Sequence, residues 1–101
     1  MQINISSYGR AAIVHLEGSF VFDSHKQLRA ACGPLFNDTA TQVIEIELSK
    51  VDYLDSSALG LMLLIKEKAD RAGKSIQIKG AQGIVMQVLE VAKFDALFEM
   101  N

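Results

Sequence analysis

The stretch from residue 43 to residue 73 constrains the fold more than any other part of this chain. Over residues 43–48, apolar side chains alternate with acidic ones, and this period of two predicts a strand with one buried face and one polar face. The apolar members are Ile44, Ile46 and Leu48, and the acidic members are Glu45 and Glu47. A polar linker is predicted over 49–52, and a helix over 58–72 that ends at Gly73. A strand followed at once by a helix favours an α/β fold.

Three polar residues, Asp55, Ser56 and Ser57, lie where this helix is predicted to begin. The first backbone N–H groups of a helix lack partners inside the helix, and the aligned peptide dipoles place a partial positive charge there. An acidic or phosphorylated side chain is therefore stabilised at this end. The residues alone leave two interpretations open. Either Asp55 or Ser56 is an ordinary N-cap worth about 1 kcal/mol and Ser57 is incidental, or Ser57 is a site of modification.

The wider pattern is an alternating strand, the segment L-S-x-V-x-Y-L-D-S-S-A-L-G-L and an apolar helix. This pattern resembles the signature of the STAS domain, the family of bacterial anti-sigma factor antagonists. In that family a partner protein kinase phosphorylates the second serine of the D-S-S triplet, which implies phosphorylation of Ser57. The resemblance also implies that Asp55 orients the Ser57 hydroxyl or caps the helix. Ala58 stands where the family usually has glycine, and its methyl group would keep a partner backbone further away.

The remaining segments complete the order ββαβαβα. Strands joined through helices are expected to lie parallel with right-handed crossovers, and alternating strands predict helices on one face of the sheet only. In the first predicted helix, over 25–36, Pro34 is expected to kink or stop the helix near Gly33. The predicted fold is a single STAS-like domain over residues 1–101, with a mixed sheet of four to five strands and helices mainly on one face.

The helix after the serines is apolar nearly all the way round from residue 57 to residue 65. Packing on a sheet needs only one apolar stripe, predicted to be Ala58, Leu61, Met62, Ile65 and Ala69. The leftover leucines predict a docking surface with Ser57 at its rim. The aromatic run at 20–22 either covers the end of the core or contributes to the same surface. The predicted partner-binding residues are Asp55, Ser56, Ser57, Ala58, Leu59, Leu63, Phe20 and Phe22.

Composition excludes several classes of function. The net charge is −2, and no basic cluster stands out along the chain, which argues against nucleic-acid binding. No apolar segment approaches the roughly 18 residues that a membrane span needs, so we expect a cytoplasmic protein without direct membrane insertion. The one cysteine, Cys32, lies in an apolar helix stripe and is predicted to be a buried packing residue. No nucleotide-binding or metal-binding motif is found, so we predict no cofactor and no metal.

The resemblance implies a regulator that sequesters an anti-sigma factor with serine kinase activity in a partner-switching pathway. Phosphorylation of Ser57 would disable the regulator, and a phosphatase would restore it. A second hypothesis is a constitutive scaffold subunit of a lipid-transport or stress-sensing complex. An enzyme with Ser57 as nucleophile is disfavoured because no G-x-S-x-G elbow is present, and His15 and His25 lie far from Ser57 in sequence. The identity of the partners, the downstream effector and the oligomeric state stay open.

Overall fold

The computed structural model describes residues 1–100, which form five strands and three α-helices. In chain order the elements are β1 Gln2–Tyr8, β2 Ala11–Phe20, α1 His25–Asn37, β3 Val43–Leu54, α2 Ser56–Arg71, β4 Ser75–Lys79, α3 Gly83–Val91 and β5 Glu99–Met100. Short 3-10 turns occupy Phe22–Ser24 and Phe94–Ala96. The longest helix, α2, has 16 residues. No helix within residues 1–100 has both the length and the apolar composition that crossing a membrane requires.

The strands form one mixed sheet in the order β1-β2-β3-β4-β5. β1 pairs with β2 antiparallel, and the other neighbours pair parallel, as the helical crossovers require. The alternation in β3 has the predicted effect, since Ile44, Ile46 and Leu48 are buried while the glutamates between them are only partly covered. Together with buried side chains of all three helices, these residues make a single core on one face of the sheet. The predicted α/β fold is confirmed.

The central strand, β3, is longer than its sequence indicates, and it pairs with β2 along its added length. β3 runs through the predicted polar linker at 49–52 as far as Leu54, and β2 runs as far as Phe20. The ends of the two strands pair with each other up to Phe20 and Leu54, with register shifts on the way. Pairing with a neighbouring strand satisfies the backbone despite the polar side chains, which is how tertiary context overrides local propensity. As a result Asp55 follows β3 directly, and its N–H donates to the Phe20 carbonyl at 3.3 Å.

The helix α1 does not stop near Gly33, which was one of the two predicted effects of Pro34. It continues past the proline to Asn37. Proline removes one backbone hydrogen bond, in this case the bond to the carbonyl of residue 30. Ala30 is an exposed residue, so the missing bond lies on the solvent-facing side of the helix and not in the core. The apolar stripe that includes Leu28, Cys32 and Leu35 stays buried on both sides of the proline.

Cys32 is buried, as predicted, and its burial makes stability depend on alkaline pH. Burial raises the pKa of the Cys32 thiol from 9.0 to about 11. Because the thiol binds its proton more tightly in the folded protein, this contribution to stability is fully present below the pKa of the unfolded state. It is lost as the pH rises through the pKa of the folded state. We expect the wild-type protein to lose about 2 kcal/mol more than Cys32→Ala between pH 9 and 11. Urea unfolding of both proteins across this range measures the difference, and parallel curves would contradict it.

Candidate functional site

Asp55 forms the N-terminal cap of α2. Its backbone is extended, with φ −110° and ψ −179°, and its Oδ1 accepts a hydrogen bond from the Ala58 N–H at 3.0 Å. This bond satisfies one of the N–H groups that the first helical turn leaves without a partner. Ser56 is the first helical residue, so of the two candidate caps the structure selects Asp55.

The Ser57 hydroxyl is held by the same carboxylate. Ser57 Oγ donates to Asp55 Oδ1 at 2.6 Å. This bond, followed by the bond from the Ala58 N–H, holds the pKa of the Asp55 carboxyl below its ordinary value. Ser57 is half-buried, whereas the neighbouring Ser56 is exposed. One charged side chain therefore fulfils both roles that the sequence leaves open, because Asp55 caps the helix and orients the Ser57 hydroxyl.

His25 joins the beginning of α1 to the beginning of α2. Its Nε2 lies 2.8 Å from the backbone oxygen of Ser57. A carbonyl oxygen can only accept, so this nitrogen carries the proton. The ring of His25 also lies 5.3 Å from the ring of Phe22. This contact with Ser57 joins residues that are far apart in sequence, and no motif indicates it. The histidine contacts the backbone of Ser57, while the hydroxyl is directed to Asp55.

The outer face of α2 is partly uncovered. All five side chains predicted to face the sheet are buried, whereas Leu63 is 40% exposed and Leu59 is half-buried. Leu59 lies beside α3, where Ile84 and Val91 are also exposed. Between the two helices is an open groove of about 340 Å³, called here the apolar groove, whose walls include Leu59, Ile84, Val88 and Val91.

The apolar groove adjoins the serine end of α2. Ser56, Leu59 and Leu63 share one face of the helix, because they are spaced three and four residues apart, and Leu59 is part of the groove wall.

Two of the predicted partner contacts are wrong. Phe20 and Ala58 are both 0% exposed and belong to the core. Phe20 closes the inner face of β2, and Ala58 lies on the sheet-facing stripe of α2. The methyl group of Ala58 is therefore not in a partner's path. Phe22, by contrast, is 69% exposed, so the aromatic run divides into a core residue and a surface residue.

The fold and the site together define a small α/β domain in which the N-cap carboxylate of a helix holds a serine hydroxyl of the first helical turn. The family model described as Mlab, STAS domain matches residues 3–99. The chain is a member of the STAS domain family.

One relative and two solved structures are also similar to this chain. The chain is 28% identical over 96 residues to a STAS-domain containing protein of Pseudomonas aeruginosa, a match that covers 95% of this chain and 93% of the relative. A putative anti-sigma factor antagonist from Thermotoga maritima has a TM-score of 0.87 at 16% identity and covers 97% of this chain and 84% of its own. The Bacillus cell fate determinant SpoIIAA in its phosphorylated form has a TM-score of 0.75 at 14% identity, covering 99% and 91%. At these identities the two structures share the fold.

Proposed function

We propose that this protein is a partner-switching regulator that binds an anti-sigma factor with serine kinase activity while Ser57 is unmodified. Binding withholds that factor from its sigma factor, phosphorylation of Ser57 ends the binding, and a phosphatase restores it. The observation that carries the proposal is the Ser57 hydroxyl bonded to Asp55 at the start of α2, a helix whose outer side exposes the large apolar side chains of Leu63 and Leu64. Membership of the STAS family and the likeness to antagonists of known structure support it.

The geometry explains how one phosphoryl group would separate two proteins and leave the fold intact. Phosphorylation replaces the hydroxyl proton, so the bond from Ser57 Oγ to Asp55 is lost, and about −1.5 to −2 charges are added beside a carboxylate. The N-terminal end of α2 tolerates negative charge, and Ala58 can still donate to Asp55. A partner that packs on the neighbouring leucines would have to strip water from the phosphate. Association is therefore disfavoured while the helix is retained.

A second candidate is a constitutive subunit of another assembly, such as a lipid-transport complex. The apolar groove favours it, because Ile84 and Val91 are large apolar side chains that are 54% and 84% exposed. Contiguous exposed apolar surface often marks an interface, and a permanent partner would cover it whatever the state of Ser57. The two candidates therefore differ in whether binding responds to charge at Ser57.

Capture from the lysate of the native cell separates the candidates. Wild type and Ser57→Ala are expected to retain the same kinase-like partner, because neither carries charge at the serine. Ser57→Asp is expected to bind at least ~10-fold more weakly, a loss of about 1.4 kcal/mol. Bound proteins are identified and quantified by mass spectrometry, and the intact mass of the wild-type protein reports its phosphorylation.

Ser75→Asp is the matched control, since it adds the same charge at an exposed serine beyond the opposite end of α2. We expect it to reduce binding less than Ser57→Asp does. Equal capture by all four proteins, with no phosphorylated species in the wild type, would favour the constitutive subunit. An activated ester hydrolysed by wild type but not by Ser57→Ala would instead indicate an enzyme.

A further inference from the structure

A second surface, distinct from the apolar groove, lies between the beginning of α1 and the outer side of α2. It is an open cleft of about 770 Å³. Its lining residues are Phe22, Asp23, His25, Lys26, Arg29, Ala30 and Lys68. We call it the basic cleft. Its volume falls within the range of about 300–1,000 Å³ found for ligand sites.

The charge of the basic cleft is opposite to that of the whole chain. The chain has 10 lysines and arginines against 12 aspartates and glutamates, yet the cleft gathers three of these cations, Lys26, Arg29 and Lys68, around the single carboxylate of Asp23. All three cations are exposed. The ion pairs found within residues 1–100 use other lysines and arginines. A concave surface in which positive charges outnumber negative ones attracts anionic ligands.

An aromatic ring adds an apolar contact to this charge. Phe22 lines the cleft and is 69% exposed, although it packs against the His25 ring at a centroid distance of 5.3 Å. Exposed aromatic side chains beside arginine are typical of protein-binding surfaces. The occupant that fits both features carries carboxylates together with an apolar side chain.

The same features disfavour other polyanions. Nucleic-acid binding domains carry a basic stripe and a strongly basic net charge, whereas this chain has a net charge of −2. Polybasic membrane-binding segments cluster about four to eight lysines or arginines, and the cleft has three. Its concave shape also suits a short peptide segment better than a flat bilayer surface.

We propose that the basic cleft is a docking site for an acidic segment of a partner protein, with an apolar side chain of that segment packed on Phe22. The cleft adjoins the serine end of α2, because His25 lines it and its Nε2 bonds the Ser57 backbone oxygen. Docking here does not depend on the Ser57 hydroxyl, which is directed to Asp55.

Site-specific photocrosslinking tests the proposal. Phe22 is replaced in the full chain by p-benzoylphenylalanine, the protein is irradiated in its native cells, and the crosslinked peptide is sequenced by mass spectrometry. The same crosslinker is placed in the charge-reversed protein Lys26→Glu/Arg29→Glu/Lys68→Glu. The matched control, Arg10→Glu/Lys50→Glu/Lys93→Glu, changes the formal charge equally at exposed positions outside the cleft. Circular dichroism checks that both triple variants are folded.

The expected result is a crosslink to an acidic segment of another protein, reduced at least ~10-fold by charge reversal in the cleft and retained in the control. A crosslink to lipid, nucleic acid or a segment without acidic residues, no crosslink, or an equal loss in both triple variants would overturn the proposal. Adding Ser57→Asp to the crosslinking protein keeps the two proposals separate. If the acidic crosslink persists at full yield there while partner capture is also unchanged, the docking site stands and the phosphorylation switch fails.

Discussion

Replacing Phe20 by alanine is expected to destabilise the domain by about 3–5 kcal/mol, whereas Phe22→Ala should change stability by less than about 0.5 kcal/mol. The two rings are two residues apart and would be judged equivalent from sequence. Phe20 is fully buried, so its removal leaves a cavity in the core, while Phe22 is mostly exposed. Urea unfolding followed by circular dichroism measures both values.

The same pair separates folding from binding. Phe22→Ala should remain folded and lose the docking that depends on the basic cleft. Phe20→Ala should affect binding only to the extent that it unfolds the protein. A similar loss of stability in the two variants would mean that the aromatic run is not divided between core and surface in the way the structure describes.

Replacing Leu61 by alanine is expected to cost about 2–5 kcal/mol of stability, whereas Leu63→Ala should cost less than about 1 kcal/mol. Both leucines lie on α2, but Leu61 is 2% exposed and faces the sheet, while Leu63 is 40% exposed. Leu63→Ala should instead weaken partner binding, by up to about tenfold, because this leucine belongs to the predicted docking surface. Unfolding curves and quantitative capture of the partner are measured on the same preparations.

The outcome for Leu63 tests the interpretation of the outer face of α2. Unchanged binding by Leu63→Ala would remove this leucine from the docking surface and leave the walls of the apolar groove as the candidates. A large loss of stability in Leu63→Ala would show that another part of the protein covers this side chain in solution.

The periodicity of apolar residues along the sequence predicts most of the fold. The alternation at 44–48 places β3 and its buried face correctly, and the spacing along α2 identifies all five of its sheet-facing residues. These features depend on neighbours a few residues apart, which a sequence displays directly. The full length of β3 is not predicted, because its extension is stabilised by pairing with a segment of β2 that is more than 30 residues away in sequence. Polar composition over 49–52 could not reveal that pairing.

The candidate site divides in the same way. Asp55, Ser56 and Ser57 are recognisable because capping and phosphorylation act within one helical turn. The contact of His25 with Ser57 is not recognisable, since it needs α1 and α2 to begin side by side. The basic cleft is also invisible in the sequence, because Lys68 is on a different helix from Lys26 and Arg29. Conversely, Phe20 and Ala58 are predicted to contact a partner, but the structure places both in the core.

The central claim is that phosphorylation of Ser57 and partner binding exclude each other. The most direct measurement is to isolate wild-type protein from its native cells under mild conditions, separate the partner-bound pool from the free pool, and map phosphorylation in each by mass spectrometry. We predict that phosphorylated Ser57 occurs in the free pool and that the bound pool carries the unmodified serine. Equal phosphorylation of Ser57 in both pools, or phosphate confined to Ser56, would contradict the account.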